Sequence, residues 1–134
     1  KPNQLLSQVK SAPTGGDEQA GLLLTNEEGQ MASVMLSLHS KQPKRGMVSC
    51  EKGYIEIMEY PRAWEATITY TDSGKTELIK AGENADALAY ELADMEKAIN
   101  GDTECMHFDY TKDVMDMMTE FRKSWGFTYP EEEK

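Results

Sequence analysis

Cysteine and histidine are scarce in this chain. Its 134 residues include only two cysteines, Cys50 and Cys105, and two histidines, His39 and His107. The cysteines show neither the paired spacing of a zinc site nor the density of a disulfide framework. We therefore predict two reduced thiols, a cytoplasmic location and no bound metal ion.

Long apolar runs and an excess of positive charge are also absent. No stretch approaches the roughly 18 consecutive apolar residues of a membrane-spanning helix. The formal net charge is −10, and an acidic surface repels phosphate backbones and anionic lipid headgroups. We expect neither nucleic acid nor a membrane as a partner. The chain begins without Met, so we expect a processed product or a piece of a longer protein.

The sequence motifs of common enzyme classes are missing as well. No GxGxxG follows a predicted strand, and no Walker loop, GxSxG or HExxH occurs. This chain is therefore expected to bind no cofactor and to supply no catalytic residue. A weaker alternative is a small enzyme that uses His39 together with a carboxylate.

Alternating apolar and polar residues predict strands over the first two-thirds of the chain. The candidate strands cover residues 5–10, 19–25, 30–39, 44–50, 54–59, 64–70 and 76–79. The short loops between them favour antiparallel pairing.

Two helices are predicted after the strands, because the apolar spacing changes to that of a helical stripe. The first stripe consists of Ala85, Leu88, Leu92, Met95 and Ile99, and the second of Val114, Met118, Phe121 and Trp125. Asn84 and either Asp109 or Thr111 are candidate caps, and glycines at 101 and 126 end the helices. The sequence thus predicts a single α+β domain over residues 1–134. Its architecture is an open-faced, mostly antiparallel sheet of about six strands with two C-terminal helices on one face, a two-layer sandwich.

The sheet face that the helices leave bare is expected to be rich in Met and Tyr. These residues suit interfaces because they supply adaptable apolar area. We predict Met31, Met35, Tyr54 and Met58 as interface residues that pair the chain with a second copy or another partner. A stand-alone protein-binding or oligomerisation module that uses this face is an alternative function.

The segment between the fifth and sixth predicted strands concentrates aromatic and charged residues. Loops that hold such residues on a rigid scaffold are favoured places for ligand contact. Tyr60, Arg62 and Trp64 are therefore the candidate substrate-binding residues.

Several short motifs, in order, resemble a known enzyme family. Residues 29–37 have the form G-x-x-A-x-x-x-x-S, and residues 52–57 have the form K-G-x-I-x-I. A Y-E pair at 90–91 and an R-x-x-x-G-x-x-x-P ending at 122–130 follow. With this order and spacing the chain resembles the carboxy-terminal domain of the glucose-fructose oxidoreductase, inositol dehydrogenase and MocA family. The ending is similar to that of its dihydrodiol dehydrogenase branch.

The resemblance implies an NAD- or NADP-dependent oxidoreductase that acts on a sugar, polyol or diol. Members carry an amino-terminal Rossmann domain, which this chain lacks, and their open sheet face often pairs with another subunit. Their E-K-P motif and D-x-x-x-H helix precede the point that matches Leu5, so no catalytic residue is carried over. The Tyr60–Trp64 loop resembles a region that approaches the substrate. The expected partners are the missing Rossmann domain, a second copy of the chain and a small-molecule substrate.

Overall fold

The computed structural model describes residues 1–132 as seven strands, two helices and three short 3-10 turns. The strands are β1 (Gln4–Ser11), β2 (Asp17–Thr25), β3 (Met31–Ser37), β4 (Arg45–Cys50), β5 (Gly53–Met58), β6 (Glu65–Tyr70) and β7 (Thr76–Lys80). The helices are α1 (Ala87–Ile99) and α2 (Phe108–Ser124), and the 3-10 turns are Asn84–Asp86, Glu104–Met106 and Pro130–Glu132. The chain forms two compact units: residues 1–41 with the segment from His107 onward, and residues 42–106.

The first unit is an antiparallel sheet of three strands in the order β1-β2-β3, with α2 in contact with β1. Strand pairing places Ser7, Leu22 and Val34 opposite one another on a single face. The indole Nε1 of Trp125, just beyond α2, donates to Ser7 Oγ at 2.8 Å, so the helix lies on this face. The small core of the unit consists of Ala20 and Phe121, which are 2% and 5% exposed.

The end of α2 is defined by a glycine and by an arginine. Gly126 has a φ of 73°, a left-handed conformation that is unfavourable for residues with a Cβ. The Phe127 N–H donates to the Arg122 carbonyl at 3.1 Å, and the Gly126 N–H donates to the Lys123 carbonyl at 3.0 Å. This is a Schellman ending, which satisfies carbonyls that the last helical turn leaves free.

The second unit contains an antiparallel sheet of four strands in the order β4-β5-β6-β7. Strand pairing gives it one largely aliphatic face, here named the isoleucine face, which carries Val48, Ile55, Ile57, Ile68 and Ile79. Tyr70 and Glu77 lie on the same face, and the Tyr70 hydroxyl donates to the Glu77 carboxylate at 3.2 Å. The opposite, mixed face carries Met47, Tyr54, Met58 and Leu78 together with the ion pairs Arg45–Glu56 and Glu65–Lys80. No residue of this unit is fully buried.

Helix α1 packs mainly against the 3-10 turns that flank it. Its predicted apolar stripe is largely exposed: Leu88, Leu92, Met95 and Ile99 retain between 49% and 78% of their accessible surface. A glycine ends this helix too, since Gly101 has a φ of 106° and its N–H donates to the Ala98 carbonyl at 3.1 Å. The apolar side chains lie along one face of α1, as the spacing predicts, but no strand of the second unit packs over this face.

The α+β class and the open antiparallel arrangement are confirmed, with one difference in how the strands are divided. The sequence predicts one sheet of about six strands under two helices, whereas the described residues form two sheets with seven strands. Of the two helices, α2 packs against a strand, β1, and α1 packs against its flanking turns. Within residues 1–132, no helix is both long and apolar enough to cross a bilayer. Glu133 and Lys134, the last residues of the predicted domain, lie outside the described residues.

Candidate functional site

The candidate site is the loop that joins β5 to β6, from Glu59 to Trp64. Two backbone hydrogen bonds fix its ends: the Glu59 N–H donates to the Lys44 carbonyl at 2.6 Å, and the Ala81 N–H donates to the Trp64 carbonyl at 2.9 Å. Within the loop the Tyr60–Pro61 peptide bond is cis, and Glu59 has a φ of 58°. The loop is therefore anchored at both ends to neighbouring strands and exposes the side chains between them.

Two clefts of about 500 Å³ each border this loop. The first is lined by the loop together with Lys44, Met58 and Asn84. The second lies between the loop and the start of α1, where Gly82, Tyr90 and Glu91 form the far wall. Arg62 and Trp64 line both clefts, so these two side chains can contact a ligand on either side of the loop.

Trp64 presents an aromatic surface that is 45% exposed. The Lys80 ammonium lies over the indole, with Nζ 4.7 Å from the ring centroid. The same ammonium lies 3.7 Å from a Glu65 carboxylate oxygen, and Glu65 and Lys80 are direct cross-strand partners. The indole plane is thus held against the end of β7 by a cation–π contact and by the backbone bond to Ala81.

Arg62 differs from the other two arginines of the chain in its charge pairing. Arg45 Nε lies 2.8 Å from Glu56, and Arg122 lies 2.6 Å from Glu132. Among residues 1–132, no carboxylate lies within salt-bridge distance of the Arg62 guanidinium. Its five N–H donors therefore remain available to a ligand.

The cleft walls combine hydrogen-bond donors, acceptors and aromatic surface. Arg62 and Lys44 donate, Glu59 and Glu91 accept, and the Asn84 amide does both. The Tyr90 hydroxyl accepts from the Glu83 N–H at 2.9 Å and so fixes the start of α1. Donors and acceptors of both charges beside a flat apolar surface suit a hydroxyl-rich ligand better than a fully apolar or a strongly charged ligand.

All three predicted substrate-binding residues line the clefts. Tyr60 lines the first cleft, and Arg62 and Trp64 line both. Lys80, Asn84, Tyr90 and Glu91 were not predicted as site residues. The first two gave no local signal, because β6–β7 pairing and the return of the chain bring them to the loop. The Y-E pair was visible as a motif, but its spacing alone does not indicate a cleft wall.

The predicted interface residues are all exposed and fall into two sheets. Met31 and Met35 share the face of the first sheet that α2 does not cover. Tyr54 and Met58 share the mixed face of the second sheet, and Met58 also lines the first cleft. Their pairing role stays a prediction. Tyr70 lies on the isoleucine face beside Ile68, opposite the mixed face that carries Tyr54.

Other reactive side chains offer less to a ligand. Burial raises the pKa of the Cys105 thiol, and the nearby carboxylates of Asp102 and Asp94 raise it further. The thiolate form that would act as a nucleophile is therefore disfavoured. His39 is exposed beyond β3. Among the residues described, no three His, Cys, Asp or Glu side chains are grouped closely enough to hold a metal ion.

No protein-family model matches this chain, and no curated protein is significantly similar to it.

Proposed function

We propose that this chain is the carboxy-terminal part of a cytoplasmic NAD- or NADP-dependent oxidoreductase that acts on a sugar, polyol or diol. In this role it supplies one wall of the substrate pocket and the surface through which subunits pair. The observation that carries the proposal is the open isoleucine face of the second unit. This face carries five aliphatic side chains and, among its strand residues, Glu77 as the one charged group, and an exposed apolar patch of this kind is favoured to be covered by another polypeptide.

The exposed area of the chain supports the need for such a cover. The chain has a mass of 15.1 kDa and exposes 10,979 Å². Treated as two separate compact bodies of equal mass, it would expose roughly 8,500 Å². The chain thus exposes roughly 2,400 Å² more than two such bodies. This excess is similar to the area that one subunit buries in a large obligate interface.

The cleft supports the substrate class. Hydride transfer from an alcohol carbon requires the hydroxyl-bearing carbon to be held beside the nicotinamide. Arg62 and Asn84 offer hydrogen bonds to hydroxyls, and Trp64 offers a flat surface. The phosphate-binding loop, the nicotinamide and the group that removes the hydroxyl proton belong, in this proposal, to the Rossmann domain.

The coding sequence before Lys1 tests the proposal most directly. We expect a strand–GxGxxG–helix pattern there, followed by an E-K-P motif. The encoded protein should then bind NAD or NADP and oxidise a member of a panel of aldoses, inositols and vicinal diols. A start codon immediately before Lys1, with no turnover of the panel, would contradict the oxidoreductase and favour the stand-alone binding module.

An Arg62→Gln variant of the encoded protein tests the substrate wall. Since Arg62 lines the clefts and lacks a carboxylate partner among the described residues, its loss should raise KM for the substrate by about tenfold. The dissociation constant for the nicotinamide should not change. Arg45→Gln is the matched control, because Arg45 is paired with Glu56 on a strand. Equal effects of the two variants on KM would argue against a substrate contact by Arg62.

A further inference from the structure

The second unit exposes two apolar surfaces. One is the isoleucine face of its sheet, and the other is the stripe of Leu88, Leu92, Met95 and Ile99 on α1. No strand of this unit packs over the stripe, so neither surface covers the other within one copy. When two copies meet, each brings both surfaces, and the helix of one can cover the sheet of the other.

Local contacts hold α1 by a different side of the helix. Its least exposed residues are Ala87, Asp94 and Ala98, none of which belongs to the stripe. The Cys105 thiol donates to the Asp94 carbonyl at 3.4 Å, and the helix packs against both flanking turns. Turning the stripe onto the sheet of the same chain would break these contacts, whereas a second copy reaches the stripe where it already lies.

We infer that α1 of one copy packs across the isoleucine face of a second copy, whose own α1 returns the contact. This inference rests on the subunit pairing in the proposed function and names the elements that form it. Two identical contacts related by a two-fold axis close on themselves and use both apolar surfaces of each copy. In dilute solution, where the chain is a single copy, the face stays open.

The dimensions of the two surfaces match. The stripe runs from Leu88 to Ile99, which is about 17 Å along a helix axis. Four hydrogen-bonded strands place their outermost axes about 14 Å apart, so the stripe is long enough to cross the sheet. Gly46 lies on the isoleucine face opposite Ile57, and the position of its absent Cβ is surrounded by open space. A helix can therefore approach β4 closely at this point.

The charges beside the two surfaces are complementary. Glu91 and Glu96 flank the stripe, one on each side. Lys44, Lys52 and Lys75 each precede a strand of the sheet. Within residues 1–132, none of these five side chains forms a salt bridge. A helix laid on the sheet brings acidic flanks toward a basic border, which favours this pairing over one between two helices.

The area and the polar groups of the face also suit the contact. The excess exposed area of roughly 2,400 Å² is about three times what one partner buries in an interface of ordinary size. Glu77 lies on the edge strand β7 and accepts from the Tyr70 hydroxyl. Its carboxylate can therefore stay at the hydrated rim of the contact, where interfaces carry their charged groups.

Self-association of the protein as encoded tests the contact from both sides. Leu92→Asp places a carboxylate in the stripe, and Gly46→Asp places one on the isoleucine face, in space that is open in the single chain. Each variant should weaken dimer formation by about 10- to 100-fold in analytical ultracentrifugation, because pairing would bury an unpartnered carboxylate. The matched controls are Ala93→Asp, on another side of α1, and Ser49→Asp, on the mixed face of β4. Both should behave as wild type.

An equimolar mixture of the two weakened variants identifies which elements meet. In a mixed dimer, the intact α1 of the Gly46→Asp chain meets the intact isoleucine face of the Leu92→Asp chain, so one of the two contacts is wild type. The mixture should therefore associate more strongly than either variant alone. Sheet-to-sheet pairing predicts that Leu92→Asp alone has no effect. That outcome, or a mixture no stronger than its components, would overturn the inference.

Cys50 provides a direct readout, because it is exposed and lies on the isoleucine face beside Gly53. In Leu88→Cys or Ile99→Cys, at the two ends of the stripe, a short bismaleimide should join α1 of one chain to Cys50 of another. A covalent dimer on a denaturing gel, lost in Cys50→Ser, supports the contact. A link within one chain would show that the chain's own helix covers its sheet, and no link in either variant would show that another occupant does. Either result would overturn the inference.

These outcomes separate the inference from the proposed function. If the variants and the mixture behave as expected but no alcohol is oxidised with either nicotinamide, the oxidoreductase proposal fails and the contact stands. If an alcohol is oxidised but Leu92→Asp associates as wild type, the contact fails and the oxidoreductase stands.

Discussion

The two units of the chain differ in whether they contain the helix that covers their sheet. In the first unit, α2 returns to β1 from more than a hundred residues along the chain, and it buries Phe121 over the sheet. In the second unit, α1 follows β7 closely and packs against its flanking turns, so the isoleucine face stays open. The comparison shows that an amphipathic helix next to a sheet in sequence does not by itself form a core. We therefore expect the second unit to depend on another polypeptide more than the first does.

The largest effect expected from this difference concerns the first unit. Phe121→Ala should lower the free energy of unfolding of this unit by about 3–5 kcal/mol, because it removes a nearly fully buried ring. Ile79→Ala on the isoleucine face should cost less than about 2 kcal/mol in the same chain, since Ile79 is already 42% exposed. Urea unfolding of the 134-residue chain measures both.

The two tryptophans allow each unit to be followed separately. Trp125 belongs to the first unit and Trp64 to the second, so Trp64→Phe leaves a reporter of the first unit and Trp125→Phe leaves one of the second. A loss in Ile79→Ala as large as that in Phe121→Ala would show that the isoleucine face is already covered. That result would remove the main support for an external partner.

The next largest effect concerns the open face of the first sheet. Met35 is 67% exposed on the face that α2 does not cover, and the sequence predicts Met35 as a residue that pairs subunits. Met35→Asp should weaken self-association by about 10- to 100-fold, because pairing would bury an unpartnered carboxylate. Analytical ultracentrifugation over a concentration series measures the change. Leu38→Asp is the control, since Leu38 is also exposed but lies beyond the end of β3. Self-association that is unchanged in Met35→Asp, or absent in wild type, would contradict pairing through this face.

Local features of the fold followed from the sequence because local physics determines them. Strand alternation located every strand to within about two residues of its observed ends, and Gly101 and Gly126 end the helices as predicted. The predicted starts of the two helices were less accurate. Asn84 was expected to cap the first helix, but it begins a 3-10 turn whose cap is Glu83. His107, in a left-handed conformation, precedes α2 and brings its start to Phe108.

Long-range features could not be predicted in the same way. Periodicity identifies which residues share a face of one strand, but it does not specify which strands pair across the connecting segment 38–44. The division into two sheets was therefore missed. The same reason explains which site residues could be predicted. Tyr60, Arg62 and Trp64 are neighbours in sequence and were predicted together. Lys80 reaches Trp64 only through the register of β6 and β7.

The smallest effect expected concerns the C-terminal end of α2, where acid should loosen the first unit. The hydrogen bond from the Arg122 guanidinium, aided by the Tyr129 N–H, holds the pKa of Glu132 below its ordinary value of 4.5. A carboxyl with a lowered pKa in the folded state stabilises that state above its unfolded pKa, and the contribution is lost as the pH falls through the folded pKa. The effect is small because the Glu132 side chain is 40% exposed.

The Tm of the first unit, measured between about pH 3 and pH 6 in the Trp64→Phe background, tests this effect. As the pH falls, Tm should decrease less steeply in Glu132→Gln than in the Glu131→Gln control. Glu18 and Asp116 also have lowered pKa values from their lysine partners, so both proteins keep part of the acid dependence. Identical slopes would mean that the Arg122–Glu132 pair adds nothing to the helix end. Helix α2 would then be held by its other contacts, which include Phe121, Trp125 and the ion pairs of Lys1 with Asp113 and Asp116.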